Sequence, residues 1–111
     1  MENEGIKYEF LAKPYQYLSP EDMCGWTFVS LPKKLSSEIR ESFKFLEEGW
    51  GRMKITAQIG NNQWKTSIWF DTKQDRYLLP LKSEIRKKEN IVLDEDIKII
   101  IFVMPFSTDN K

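Results

Sequence analysis

Apolar and polar side chains alternate along three stretches of the chain, residues 6–12, 53–59 and 64–70. A repeat of two is typical of a β-strand that buries one face, because successive side chains point to opposite sides of a sheet. Pro14 ends the first stretch, and Gly60-Asn61-Asn62 between the other two predicts a hairpin turn. Alternation alone therefore predicts three half-buried strands, two of them joined as a hairpin.

Three further segments are aromatic, β-branched or apolar enough to form strands without so regular an alternation. They are residues 25–31, closed by Pro32, residues 76–79, closed by Pro80, and residues 97–104. The last of these carries Ile and Val at both odd and even positions, which predicts a central strand covered on both faces. A turn-rich loop is predicted over residues 15–24, and the tail from Phe106 onward is expected to fray.

A helix is predicted between the second strand and the hairpin. Ile39, Phe43 and Leu46 recur at helical spacing, and charged residues occupy the positions between them. Ser36 is the expected N-cap because its hydroxyl could accept a hydrogen bond from the first turn, and Gly49 is the expected stop.

The chain contains an internal repeat. Leu31-Pro32 followed by Ser37-Glu38-Ile39-Arg40 recurs as Leu79-Pro80 followed by Ser83-Glu84-Ile85-Arg86. The second copy predicts a short helix that Ser83 caps and that runs through Lys88. Each copy thus reads strand, Leu-Pro, helix, turn, strand.

Two such units complete each other in one mainly β domain with short helices. We expect a closed or nearly closed double-split β-barrel built from two pseudo-symmetric strand-helix-strand halves, with helices capping its ends. Val29 and Leu31 should pack pseudo-symmetrically to Tyr77 and Leu79. The length of 111 residues fits a single domain over residues 1–111, with an ordered core of about 6–104.

Charge and composition exclude several classes of function. The 17 Lys and Arg residues balance 17 Asp and Glu, so no overall field attracts nucleic acid or an anionic membrane. The chain has no histidine, the usual general base and zinc ligand, and its single Cys24 cannot form an internal disulfide. No secretory signal and no run of roughly 20 apolar residues is recognised. We expect a cytoplasmic monomer that uses no membrane, metal or cofactor. No catalytic residue is identified, which disfavours an enzyme without excluding one, so an enzyme ranks third among the hypotheses.

The candidate ligand contacts are Arg40, Trp69, Lys87 and Lys88. Arg40 corresponds in the repeat to Arg86, which is expected to pair with Asp96 at the head of the last strand. The first copy has Arg52 at that place, so Arg40 is either solvated or free to bind an anion. Trp69 shares its strand face with polar residues and is expected to be exposed, whereas the basic pair 87–88 could contact phosphate.

Other conspicuous residues are expected to be structural. Trp50 lies between two glycines that would let it fold over the barrel end, so it should be mostly buried, and Trp50→Ala should unfold or nearly unfold the protein. Trp26 and Trp64 are predicted to pack in the core or at its rim. Asp94-Glu95-Asp96 is interpreted as a polar turn rather than a cation site, and Glu47-Glu48 is not predicted to form a catalytic pair.

The second copy, residues 76–88 with 93–99, resembles the half-barrel of AbrB-like transcription regulators, which dimerise to close an interleaved barrel. Here both halves would lie in one chain. Glu95 departs from that family, whose turn usually has glycine before the aspartate, so the resemblance concerns architecture before DNA binding.

Over residues 8–103 the chain resembles the bacterial domain-of-unknown-function family 1905. The residues that carry the resemblance are Phe10-Leu11-Ala12, Gly25-Trp26, Phe28-Val29, Leu31-Pro32, Gly49-Trp50-Gly51, Met53 to Ile55, Tyr77 to Lys82, Ile85-Arg86 and Asp96. The resemblance implies a small double-split β-barrel capped by helices, and it implies no established activity.

Two functions follow as hypotheses. The first is a binding or interaction module that presents an aromatic or basic patch to a protein or a small ligand. The alternative is an AbrB-like DNA-binding regulator or antitoxin-type module. The balanced charge disfavours the alternative and predicts at most weak, salt-sensitive DNA binding.

Overall fold

A computed structural model describes residues 5–17, 26–48 and 51–103. This part of the chain is mainly β-strand with two short α-helices, as predicted. The strands are β1 (Ile6–Ala12), β2 (Tyr15–Tyr17), β3 (Trp26–Ser30), β4 (Arg52–Ile59), β5 (Asn62–Asp71), β6 (Arg76–Pro80) and β7 (Ile97–Val103). The helices are α1 (Lys33–Phe43), which continues into a 3₁₀ helix (Lys44–Leu46), and α2 (Ser83–Lys88).

The seven strands form one antiparallel sheet in the order β1-β7-β4-β5-β6-β3-β2. Its two outermost strands, β1 and β2, are consecutive in the chain and are separated only by Lys13-Pro14. A link of this length spans at most about 11 Å between the Cα atoms of Ala12 and Tyr15. Opposite ends of the sheet must therefore lie close together, so the sheet curls into a half-barrel. The double-split description of the barrel stays a prediction.

The two copies of the repeat follow the same path of strand, helix and strand, β3-α1-β4 and β6-α2-β7. Equivalent strands also pair with each other, β3 with β6 and β4 with β7. Val29 lies opposite Leu79, and the backbone N–H of Leu31 donates a 2.9 Å hydrogen bond to the carbonyl of Tyr77. All four side chains are fully buried, so the predicted packing between the copies is confirmed.

The core lies on the concave face of the sheet, under the two helices. Alternate strand residues supply most of it, and Ile39 of α1 and Ile85 of α2 add the corresponding positions of the repeat. The central position predicted for the last strand is also confirmed, since β7 lies between β1 and β4 and buries Ile99, Ile101 and Phe102.

The predicted serine caps are wrong. Pro32 is the N-cap of α1, whose first helical hydrogen bond runs from the N–H of Ser36 to the Pro32 carbonyl at 2.8 Å. Ser36 is instead buried inside the helix, where its hydroxyl accepts a 3.0 Å hydrogen bond from the N–H of Tyr77. Likewise Lys82 is the N-cap of α2, and Ser83 is its first helical residue. Neither helix has a side-chain hydrogen bond at its N-cap, and the Ser36 hydroxyl is engaged by strand β6 instead.

The loop predicted over residues 15–24 begins instead with the short strand β2, which pairs with β3. Cys24, Gly49, Trp50, Met104 and the tail from Phe106 lie outside the described residues.

Candidate binding surfaces

A groove of about 330 Å³ lies between α1 and the end of the β5–β6 hairpin. Its lining residues are Ser37, Arg40, Glu41, Lys44, Phe70 and Asp75. Ser37, Arg40 and Glu41 are three or four positions apart, a spacing that places them on one face of α1, and Lys44 follows at the start of the 3₁₀ helix. The lining combines two cations, two carboxylates, a hydroxyl and one aromatic ring.

Arg40 is the most constrained charged residue of this groove. Its guanidinium carbon lies 3.8 Å from the centroid of the Phe70 ring, and its Nε lies 3.5 Å from Oε2 of Glu47. That Nε is buried and has no hydrogen-bond partner among the described residues. The Arg40 side chain retains 31% exposure. Arg40 is therefore a partly buried cation stacked on Phe70. It is neither fully solvated, the first of the two predicted states, nor without contacts and free to bind an anion, the second.

Tyr77 and Glu47 form the base of the same cluster. The Tyr77 hydroxyl donates a hydrogen bond to Oε2 of Glu47, and the Tyr77 ring packs edge-on against Phe70 at 5.1 Å. Burial raises the pKa of Tyr77 well above its ordinary value, and the hydrogen bond to Glu47 raises it further. Tyr77 thus stays a neutral hydrogen-bond donor, and Glu47 is the anion that faces both it and Arg40.

Sequence reasoning missed Glu47 as a contact of Arg40. Seven positions of separation would place both residues on one side of a continuous helix, which is the only available signal. The chain leaves the α-helix at Phe43 and passes through a 3₁₀ turn before it reaches Glu47, so the helical spacing does not apply.

A second surface is the convex face of the sheet, which points away from the core. We use the name outer aromatic face for its residues Tyr15, Trp26, Phe28, Trp69, Leu78 and Pro80. Phe28 lies opposite both Tyr15 and Pro80, and Leu78 lies opposite Trp69, so these side chains are neighbours across four strands. The rings of Trp26 and Phe28 are 6.2 Å apart and 12° from parallel.

Cations border the outer aromatic face. Arg52 lies opposite Trp69, with its guanidinium carbon 6.0 Å from the indole centroid. Lys54 and Lys65 lie on the same side of β4 and β5 and are exposed. Glu48 lies 3.8 Å from Arg52 and 3.9 Å from Lys54. Exposed pairs at such distances are worth at most about 1 kcal/mol, so they leave both cations available.

The four predicted contacts do not form one site. Arg40 belongs to α1 and stacks on Phe70 on the concave side of the sheet, whereas Trp69 points outward and is 45% exposed, as its polar neighbours predicted. Lys87 and Lys88 are exposed in the last turn of α2. Glu89, next to them, accepts a hydrogen bond from Asn62, so they lie near the opposite end of β5 from Trp69.

The predicted ion pair between Arg86 and Asp96 is wrong. Asp96 pairs with Lys13 at 3.2 Å, and Nε of Arg86 donates a 3.3 Å hydrogen bond to the carbonyl of Leu81. Arg86 does not reach Asp96 because its guanidinium binds the carbonyl of Leu81, just before α2.

Within residues 5–17, 26–48 and 51–103, no three or more Asp, Glu, Cys or His side chains are grouped closely enough to hold a metal ion. The helices of this part of the chain are also too short or too polar to cross a membrane.

Comparison with known proteins adds the family. A comparison with functionally curated proteins found no match. A family model described as "Domain of unknown function (DUF1905)" matches residues 18–101, which is most of the chain. The protein, with its curled antiparallel sheet and two short helices, therefore belongs to the DUF1905 family.

Proposed function

We propose that this protein is a non-catalytic binding module whose groove beside α1 holds a small zwitterion, such as a free amino acid or a short peptide. The observation that supports this most directly is the stacking of Arg40 on Phe70 at 3.8 Å. A guanidinium held flat by an aromatic ring has lost much of its rotational freedom, so it pays little entropy to bind a carboxylate.

The charges around the groove match a ligand with both a carboxylate and an amine. Arg40 and Lys44 offer donors for the carboxylate, while Glu41 and Asp75 offer acceptors for the amine. The volume of about 330 Å³ lies at the small end of ligand sites, which suits a molecule of this size.

A binding role fits these residues better than a catalytic one. The chain has no histidine, and Tyr77 beside the groove is held in its neutral form by its raised pKa. Glu47 is engaged by the Tyr77 hydroxyl and lies against Arg40, so its carboxylate is occupied as an acceptor.

Titration of ¹⁵N-labelled protein with amino acids and dipeptides tests the proposal. We expect saturable chemical shift changes at Ser37, Lys44 and Asp75. Arg40→Met keeps the aliphatic stem but removes the charge, so it should abolish binding. Arg40→Lys should weaken binding because the planar fork is lost.

Arg86→Met is the matched control, since Arg86 occupies the same place in the repeat and does not line the groove. It should leave binding intact. The proposal is wrong if no ligand shifts the groove resonances at millimolar concentration, or if Arg40→Met binds as well as the wild type.

A further inference from the structure

Charge is distributed unevenly between the two faces of the sheet. The strand positions of the described residues that point away from the core carry six cations, Lys7, Arg52, Lys54, Lys65, Arg76 and Lys98, but only two carboxylates, Glu9 and Asp71. The whole chain is neutral. The convex face is therefore a cationic surface on a protein without net charge.

The same face exposes large aromatic rings. Trp26 is 55% exposed and Trp69 is 45% exposed, although tryptophan is highly buried on average. Trp26 and Trp69 lie on strands separated only by β6, but Trp69 is level with Ser30, because both lie opposite Leu78. Trp26 is four residues further along β3, so the two positions are roughly 16 Å apart, about 10 Å across the sheet and about 13 Å along it. Phe28 lies beside Trp26, and the two rings are stacked nearly parallel on this face.

We propose that the outer aromatic face binds single-stranded nucleic acid. Unpaired bases would stack on Trp26, Phe28 and Trp69, and the flanking phosphates would contact Arg52 and Lys54. Stacking on aromatic rings with cations beside them is the usual physical basis of single-strand binding, because every base has a flat face and every nucleotide a charge.

The geometry favours a single strand over a duplex. In a duplex the base faces are stacked on one another, so the two indoles would have nothing to cover. The described part of this face is also made of strand positions rather than of a helix that could enter the major groove. An acidic protein could form ion pairs with the cations of this face, but its carboxylates would not stack on the two tryptophan rings.

The ion pairs of Glu48 with Arg52 and Lys54 do not block this surface. Both pairs are longer than 3.7 Å and solvent-exposed, so a phosphate can replace the carboxylate. With two phosphate contacts, at Arg52 and Lys54, the logarithm of the association constant should fall with the logarithm of salt concentration at a slope of about −1.4.

Fluorescence anisotropy of a labelled 10-nucleotide oligo-dT tests the proposal on the full chain. We expect saturable, micromolar binding at low salt with the slope given above. Trp26→Ala and Trp69→Ala should each weaken binding about tenfold or more, because each removes one stacked base. Arg52→Gln should weaken binding and reduce the salt slope by about 0.7.

Three controls separate this site from others. Phe45→Ala removes an aromatic ring that is 73% exposed but does not belong to the outer aromatic face, and it should bind normally. A Lys87→Ala/Lys88→Ala double variant removes two exposed cations at the far end of β5 and should also bind normally. Arg40→Met should bind normally, which keeps the result independent of the groove.

Several results would overturn the inference. Among them are no oligonucleotide binding at 20 mM salt, unchanged affinity of the Trp69→Ala variant, duplex DNA binding as tightly as the single strand, and a loss of binding in the Lys87/Lys88 variant. Competition by polyglutamate as effective as that by oligo-dT would assign the surface to acidic proteins instead.

Discussion

The hydroxyl of Tyr77 donates its hydrogen bond to Glu47, and this contact joins strand β6 to the end of the 3₁₀ helix that follows α1. The same Glu47 carboxylate also lies 3.5 Å from Nε of Arg40, so it contacts both the Tyr77 hydroxyl and the Arg40 guanidinium. The backbone N–H of Tyr77 donates to the hydroxyl of Ser36 in α1. Tyr77 therefore holds both α1 and the segment after the 3₁₀ helix against the sheet.

Tyr77→Phe should lower the free energy of unfolding by about 1.5 to 3 kcal/mol, the range for a hydrogen bond to a charged group. Urea denaturation at pH 7 measures this loss. Tyr15→Phe is the control, because the Tyr15 hydroxyl forms a half-buried 3.1 Å hydrogen bond with Ser30, a neutral partner. A cost for Tyr77→Phe no larger than that of the control would contradict the role of Glu47.

Stability should fall at alkaline pH, and Tyr77 should cause part of the fall. Burial, then Glu47, raises the pKa of Tyr77 above the ordinary 10.0, so the unfolded chain loses this proton first. The corresponding stability is fully present below pH 10 and is lost as the pH rises further. Denaturant midpoints between pH 9 and 11 should decline less steeply in Tyr77→Phe. Tyr8, whose pKa is raised by burial and then by Glu38, should maintain a residual slope.

Leu31→Ala and Leu79→Ala should each cost about 2 to 5 kcal/mol, because both side chains are fully buried at equivalent places of the repeat. Thermal and urea unfolding of both variants test the equivalence. Leu11→Ala, at a leucine that is 62% exposed, should cost less than about 0.5 kcal/mol. Costs for the two buried leucines that differ by more than twofold would show that the halves of the repeat are not energetically equivalent.

Gly60→Ala should destabilise the hairpin for two separable reasons. Gly60 has φ +59°, and an added Cβ would lie 2.6 Å from the carboxylate of Glu89, which accepts a hydrogen bond from Asn62. The left-handed backbone alone costs about 1 to 2 kcal/mol for alanine. In a Glu89→Ala background the same glycine substitution should cost only this backbone part. An equal cost in both backgrounds would exclude the steric contribution.

Trp69→Ala should change the free energy of unfolding by less than about 1 kcal/mol, because it removes a half-exposed ring and one long contact with Arg52. Trp50→Ala stays predicted to cost about 3 to 5 kcal/mol, as expected for a buried aromatic ring. Differential scanning calorimetry of both variants measures the contrast. A near-wild-type melting temperature for Trp50→Ala would make Trp50 a surface residue and a candidate contact.

The strands were predictable wherever one face is buried, because burial imposes alternation on the local sequence. The hairpin of β4 and β5 and the exposure of Trp69 follow from that rule. Strand β2 was not predicted by this rule, because its three residues directly after Pro14 are too few to show an alternation.

Contacts between distant segments were not predictable from local patterns. The pairing of Asp96 with Lys13 rather than Arg86 depends on β1 lying beside β7, and the site formed by Arg40, Glu47 and Tyr77 depends on α1 packing over β6. The internal repeat was the exception, because similar sequences imply similar paths even when the contacts between them are remote.

The register of β1 and β7 has a consequence for synthesis. Ile6 pairs with Val103, so β1 meets β7, its partner in the sheet of the described residues, after nearly all of that part of the chain has been made. At ~5–20 residues per second on the ribosome, this takes roughly 4 to 20 s. During that interval the hydrogen-bonding groups of β1 and the side chains of Phe10 and Ala12, which the folded structure buries, are open to other chains. We therefore expect β1 to be accessible to chaperones until β7 has been made.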